Sequence, residues 1–282
     1  TTPALSPSTQ NTIENIPFKA HLPIETHRFV DPRLPSLTWK TWSRNELASC
    51  QGLQGAVVNH HILAGDLMGR LFSFLAACRP SIQHVIILSP DHFARGRTMI
   101  STHHQSYLAG GSMTASYEFL VARATSTLSF VREDSTVFEQ EHGVGALIPF
   151  VQRAWPMADL AAFAIRSDLG RNETSAFVET LRSTISSSTI VIVSSDMSHY
   201  LPMEQALTND EKTRQAFRTR DQNFFWTAND DFTDFGKGIG VALSLLQDSV
   251  WHEIDHRISS DYDGGRQHTT TYLTGWWGRA QK

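Results

Sequence analysis

The chain has 282 residues, 40% of them hydrophobic and 18% charged, with a formal net charge of -4. That length and apolar content suffice to bury a substantial core, near the upper size for one α/β domain. Mild acidity with scattered Lys and Arg excludes a nucleic-acid partner, and no apolar run approaches the roughly 20 residues that span a bilayer, so a soluble domain without a transmembrane segment is expected.

The chain starts without methionine, and Thr1–Asn11 is rich in Thr, Ser and Pro, the composition of a trimmed stub or linker. Localisation is left open by this: the cytoplasm is favoured, with export or anchoring allowed through a missing N-terminus. Residues 1–50 are expected to form an irregular extension wrapping the domain, because Pro23, Pro32 and Pro35 break any long helix. Cys50 and Cys78 form no CxxC pair or zinc-ribbon spacing and are expected to be buried small apolar residues.

From 51 to 282 the pattern becomes regular. Gly55–Asn59 reads as a buried strand, Leu63–Ala77 as a helix with Leu67, Leu71, Phe74 and Leu75 on its apolar face, and Val85–Leu88 as a strand buried on both sides. Residues 98–112 read as a loop or hairpin excursion, and Phe138–Trp155 has a helical pattern interrupted by Gly143, Gly145 and Pro149. Leu160–Ile165 and Thr189–Val193 are further strands, with a helix over Glu173–Ser186 between them. Asp210–Phe225 and Ile239–Gln247 read as helices, and Val250–Ile258 and Thr269–Trp277 as closing strands. The alternation predicts one α/β domain with a mostly parallel central sheet flanked by helices.

Three strands end in the same way, with a polar loop holding histidine: Asn59-His60-His61, Ser89-Pro90-Asp91-His92, and Ser194-Ser195-Asp196-Met197-Ser198-His199. Loops at the carboxyl ends of parallel strands converge on one crevice, so the three segments are expected to share a site. Imidazole is a common ligand for iron, copper and zinc, and a catalytic ion needs about three protein ligands with an open position. One such histidine alone is more often structural, and 13 histidines in the chain make a chance pair such as His103-His104 unremarkable in itself. Glu141-His142 offers an acid beside an imidazole at a helix start, or a plain cap. Asp196 and His199 are spaced to face the same way on a turn, where the carboxylate can orient the ring for acid-base work. HExxH, GxxxxGK[ST] and GxSxG are all absent, and Gly236-Lys237-Gly238-Ile239-Gly240 reads as a helix entry.

Asn59-His60-His61-Ile62-Leu63-Ala64, Leu88-Ser89-Pro90-Asp91-His92, Glu141-His142-Gly143-Val144 with Ile148-Pro149-Phe150, and Ser194-Ser195-Asp196-Met197-Ser198-His199-Tyr200 resemble, in order, the motif series of the Memo family, which includes AmmeMemoRadiSam system protein B. The resemblance covers about residues 55–277, and four weak motifs in order are fairly specific together. It implies a fold related to the LigB-type class III extradiol dioxygenases, with a metal crevice at the strand ends. It implies further that His60 and His92 are ligands, that Glu141, His142, Asp196 and His199 surround the pocket, and that His199 holds the acid-base position. Asn59 stands where the family often has proline, which keeps His61 as an alternative ligand. Many Memo proteins carry a ligating cysteine where this chain has Asp234, and the dioxygenases use a glutamate at the comparable place. Two histidines with Asp234 would form the facial triad suited to Fe(II).

The reading is a metal-dependent redox enzyme with one mononuclear ion, iron or copper first and zinc compatible, acting on a small molecule and activating dioxygen or an oxidisable substrate. Arg95 and Arg97 either hold an acidic substrate or are solvated surface charges. The alternatives are a non-enzymatic metal-binding partner of radical-SAM and AMMECR-type proteins, which the resemblance permits, and a zinc-dependent hydrolase.

Overall fold

The computed structural model describes residues 22–48, 50 and 52–279. Thr1–Asn11 and the rest of the first 21 residues lie outside the described residues. The remaining part of the extension packs on the domain: β1 (Ile24–Glu25) pairs with a hairpin strand further on, and α1 (Leu34–Thr38) starts with Pro35 in its first turn. The chain then enters β2 (Leu53–Val58), a 3-10 turn over Ile62–Ala64 and α2 (Gly65–Cys78), which Pro80 prevents from continuing. β3 (His84–Pro90) follows, buried beyond its first residue because Val, Ile and Leu fill both of its faces.

The excursion at 98–112 differs from expectation in one respect. It contains β4 (Ile100–Thr102), which joins the main sheet, and then the hairpin of β5 (Tyr107–Ala109) and β6 (Ser112–Thr114), on which β1 is laid as a third strand. A three-residue strand is too short to carry a periodic signal. Next come α3 (Glu118–Thr127) and β7 (Val131–Glu133), neither of which was read from the sequence. The expected helix over 138–155 is three short ones, α4 (Ser135–Phe138), α5 (His142–Gly145) and α6 (Ile148–Ala154). Glu141 caps α5, and Pro149 opens α6 where its missing N–H costs nothing.

β8 (Asp159–Ile165), α7 (Arg171–Arg182) and β9 (Thr189–Ser194) match the expected strand, helix and strand closely. The polar helix read at 210–225 is instead α8 (Met203–Thr219) and α9 (Gln222–Thr227). Arg220 takes the left-handed conformation, φ 57°, and the Asp221 carboxylate accepts from the Phe224 N–H at 3.0 Å, which ends one helix and starts the next. α10 (Gly236–Leu245), β10 (Ser249–Ile258), α11 (Ser260–Asp263) and β11 (Thr271–Arg279) complete the chain.

The main sheet has eight strands in the order β10-β11-β2-β9-β3-β8-β4-β7. Its centre, β2-β9-β3-β8, is parallel; β10, β11 and β4 run antiparallel to a neighbour at the flanks. Strand residues alternate between two cores. Val57, Ile86, Leu88, Phe163, Val191 and Val193 meet α3, α7, α8 and α10 on one face. Ala56, Val58, Val85, Ile87, Ile190 and Ile192 meet α2 and α6 on the other. Each fully buried Val, Ile or Phe contributes roughly 1.5–3 kcal/mol. The ladder sets Val57 beside Val193, Val193 beside Leu88 and Leu88 beside Phe163, and this register fixes the relative position of the loops at the carboxyl ends.

The cysteines depart from expectation. Cys50 and Cys78 are half-buried and joined in a disulfide, with Cα atoms 5.9 Å apart, which ties the segment before β2 to the end of α2. A separation of 28 residues gives no hint of contact until α2 folds back beside β2.

Candidate metal centre

At the end of β2 the Asn59 amide donates to the carbonyls of His61 and Ala64 at 3.1 and 3.2 Å, curling the loop back on itself. His60 is left pointing inward, 2% exposed, its backbone N–H donating to Asp196 Oδ1 at 3.0 Å. The His60 ring meets Ser194 Oγ through Nδ1 at 3.0 Å, and Ser194 Oγ donates its one proton to the Gly143 carbonyl at 2.5 Å. Ser194 can therefore only accept from His60, so Nδ1 carries a proton and Nε2 faces the cavity.

The same logic orients His92, just past β3. Its backbone N–H and its Nδ1 both donate to Glu141, at 3.0 and 2.7 Å, and the Gly143 N–H donates to the same carboxylate at 2.8 Å. Glu141 is fully buried. A side chain at Gly143 would overlap Ser89 Oγ, so only glycine brings this backbone close enough to serve Glu141 and Ser194 together. Past β9, His199 donates through Nδ1 to the Met197 carbonyl at 2.6 Å, while its backbone N–H binds the Asp230 carbonyl at 2.9 Å. All three imidazoles thus present Nε2 to one space.

Asp234 enters that space from the turn before α10. Its Oδ1 accepts from Ser195 Oγ and the Asp196 N–H at 3.0 and 3.1 Å, leaving Oδ2 free toward the rings. Oδ2 lies 3.1 Å from His60 Nε2, 3.4 Å from His92 Nε2 and 3.9 Å from His199 Nε2. Asp196 Oδ2 stands 3.7 Å from His60 Nε2 and 4.0 Å from His199 Nε2. Two ligand atoms about 2.1 Å from one ion and about 90–110° apart are separated by roughly 3.0–3.4 Å, so the spacing around Asp234 Oδ2 fits a shared divalent ion. His142 stacks on His92 with ring centres 4.2 Å apart, and both His142 and Asp196 lie near enough to His60 to serve as additional donors.

The electrostatics follow from this crowding. Burial opposes charge on His92, but the hydrogen bonds to Asp234 and Glu141 outweigh it and lift its pKa to about 10. His60 is raised in the same way, burial being overcome by Asp196 and Asp234. Burial opposes charge on Asp234 and Glu141 too, yet the neighbouring histidines hold both below the ordinary carboxylate range. For His142, burial, and then the like charges of His60 and His92, outweigh the pull of Glu141 and Asp234 and depress it to about 4.

His60, His92, His142, Asp196, His199 and Asp234 line a cavity of about 730 Å³ whose wall also includes Phe93, Tyr200 and Lys237. His60, His92, His142, Asp196, His199 and Asp234 are brought together, and Glu141 lies directly behind His92. His61 also lines the cavity, but its Nδ1 faces the Tyr272 hydroxyl at 2.7 Å and does not join the converging donors. Arg95 and Arg97 do not line the cavity; Arg95 bonds Gln140, and Arg97, 87% exposed, stands 3.7 Å from Asp134. Sequence reasoning quoted Ser194 without giving it a role, since its link to Gly143 spans 51 residues. Lys237, read from the sequence only as part of a helix entry, lines the same cavity beside the turn that carries Asp234.

A family model described as Memo-like protein matches residues 45–275. A MEMO1 family protein from Caldivirga maquilingensis is 23% identical over 198 residues, covering 67% of this chain and 70% of that protein. Among solved structures, the uncharacterized protein JW3007 of Escherichia coli K12 superposes with a TM-score of 0.53 at 12% identity, over 79% of this chain and 99% of that one, a likeness of fold. The family match extends across all the strands that carry the cluster, and the chain belongs to the Memo-like family.

Proposed function

We propose that the chain is a metal-dependent redox enzyme with one ion held by His60 Nε2, His92 Nε2 and Asp234 Oδ2. The observation that carries this is the assignment of every other polar atom of the three side chains to a fixed partner, so that the remaining nitrogens and oxygen face one another. Two imidazoles and a carboxylate favour Fe(II) or another borderline divalent ion over Cu(I), since a hard oxygen stands where thiolate softness would select copper. A bound ion of this kind supplies one-electron chemistry and open coordination positions for dioxygen or an oxidisable substrate.

The protein's own residues do the rest. His199, its Nδ1 committed to Met197, holds or moves a proton at Nε2, directed into the cavity by Asp196 and Asp234. Glu141 fixes the His92 ring, and His142 forms an uncharged wall beside it. The Cys50–Cys78 disulfide favours an oxidising compartment over the cytoplasm; among the described residues no helix is long and apolar enough to cross a membrane.

Metal analysis of protein purified without chelator or histidine tag, coupled to an oxygen-electrode assay, tests the reading. One ion per chain with redox turnover is expected. A stoichiometric ion without turnover would favour the metal-binding partner of a radical-SAM system, and zinc with hydrolytic turnover would favour the hydrolase.

A further inference from the structure

Lys237 is the one lysine or arginine among the residues lining the cavity. Its ammonium sits 3.7 Å from the ring centre of Trp226, and the Arg171 guanidinium lies 5.0 Å from the same ring. Among the described residues neither cation has a carboxylate within 4.0 Å; Arg171 bonds only the Asn223 amide oxygen, at 3.1 Å. An indole face compensates a half-buried ammonium only in part, and a second cation on that ring works against it. Burial, then the Arg171 charge, accordingly push the Lys237 amine down. The nearby carboxylates are otherwise engaged: Asp91 accepts from the Arg95 and Gly96 N–H groups, and Asp234 and Asp196 face the imidazoles.

The cavity also carries exposed apolar surface where a soluble domain would normally bury it. Phe93, next to His92, is 52% exposed, and Tyr200, next to His199, is 73% exposed. Tyr200 is held at φ 55°, a left-handed conformation that costs a bulky residue energy and so marks a constrained position. The side chains that flank two of the converging imidazoles are thus available to an apolar body.

We propose that the cavity binds a small organic monocarboxylate, its anion paired with Lys237 and its apolar body laid against Phe93 and Tyr200. This rests on the metal-dependent reading for its place in a reaction, but not for the binding itself. A monoanion is favoured over a phosphate because Asp230, exposed at the cavity wall, opposes a second negative charge.

The test uses benzoate and its uncharged counterpart benzamide, titrated calorimetrically into metal-loaded and metal-free protein, with metal content measured on each sample. Benzoate is expected to bind more tightly than benzamide. Lys237→Met should weaken benzoate by about tenfold, the scale of a charge-assisted hydrogen bond, leaving benzamide and metal occupancy unchanged, and Lys237→Arg should restore most of the loss. Equal binding of the two probes, no benzoate binding, or benzoate binding unaffected by Lys237→Met would overturn the proposal. Failure to bind metal would sink the redox reading separately, since the metal-free titration still decides the role of Lys237.

Discussion

Two histidines at opposite ends of β3 make almost the same bond and stand in very different surroundings. At the amino end, His84 Nδ1 meets Asp159 at 2.6 Å; past the carboxyl end, His92 Nδ1 meets Glu141 at 2.7 Å. The His84 pair is about a quarter exposed on both sides, stacks on Tyr117 at 4.2 Å and, among the described residues, belongs to no group of converging donors. Burial raises the Asp159 pKa, and His84 offsets this only in part. The Glu141 carboxylate is fully buried and fixed by two backbone N–H groups, and the far nitrogen of His92 faces a second carboxylate shared with His60. The bond to the near nitrogen is common to both; what sets His92 apart from the partly buried His84 pair is a second nitrogen directed into a group of converging donors.

Substitution at each end breaks the comparison most sharply. His92→Ala should abolish stoichiometric metal binding with the fold retained, as read by metal analysis and circular dichroism. His84→Ala should leave metal binding intact and lower stability by roughly 0.5–1.5 kcal/mol, the usual net worth of one partly buried hydrogen bond. Full metal occupancy in His92→Ala would remove the assignment.

His199 separates proton handling from ligation. His199→Ala is expected to slow turnover by ~10²- to 10⁴-fold with metal content unchanged. Loss of the metal in that variant would place His199 among the ligands instead.

Glu141→Gln tests the bond that the two ends share. It should weaken metal affinity by roughly 10- to 100-fold, the usual cost of losing a carboxylate behind a ligating imidazole, whereas Asp159→Asn should not move it. Equal effects from the two variants would mean that Glu141 is merely structural.

A smaller effect concerns pH in the metal-free protein. Because the folded His92 pKa is raised from 6.5 to about 10, its ion pairs contribute stability that is full below 6.5 and lost as pH rises toward 10. Asp234 and Glu141, held low, contribute stability present above the ordinary carboxylate range and lost in acid. Metal competes with the His92 proton, so metal affinity should increase from pH 6 to pH 9 and binding should release protons, measurable by calorimetry in buffers of different ionisation enthalpy. Affinity independent of pH would argue that His92 is not a ligand.

Much of the sheet was legible because the parallel strands are buried twice: Val85–Leu88 and Ile190–Val193 are apolar at every position, a pattern few other settings produce. The histidines were legible because each follows such a run. What was not legible depends on contacts distant in sequence. Ser194 acquires its role from Gly143 and the His60 ring, and β4 is held by β8 on one side and β7 on the other. The break at Arg220 is set by Asp221 capping α9, a local signal masked by the polar periodicity around it. The pairing of Cys50 with Cys78 awaited the packing of α2, and the facing of His61 Nδ1 to the Tyr272 hydroxyl awaited β11.

The most direct measurement is anomalous diffraction at the metal edge from crystals of metal-loaded protein. One peak per chain is predicted, bounded by His60 Nε2, His92 Nε2 and the Asp234 carboxylate, with the coordinating oxygen at roughly 2.0–2.2 Å. A peak elsewhere, or an Asp234 carboxylate turned more than about 5 Å from the ion with no bridging water, would contradict the account.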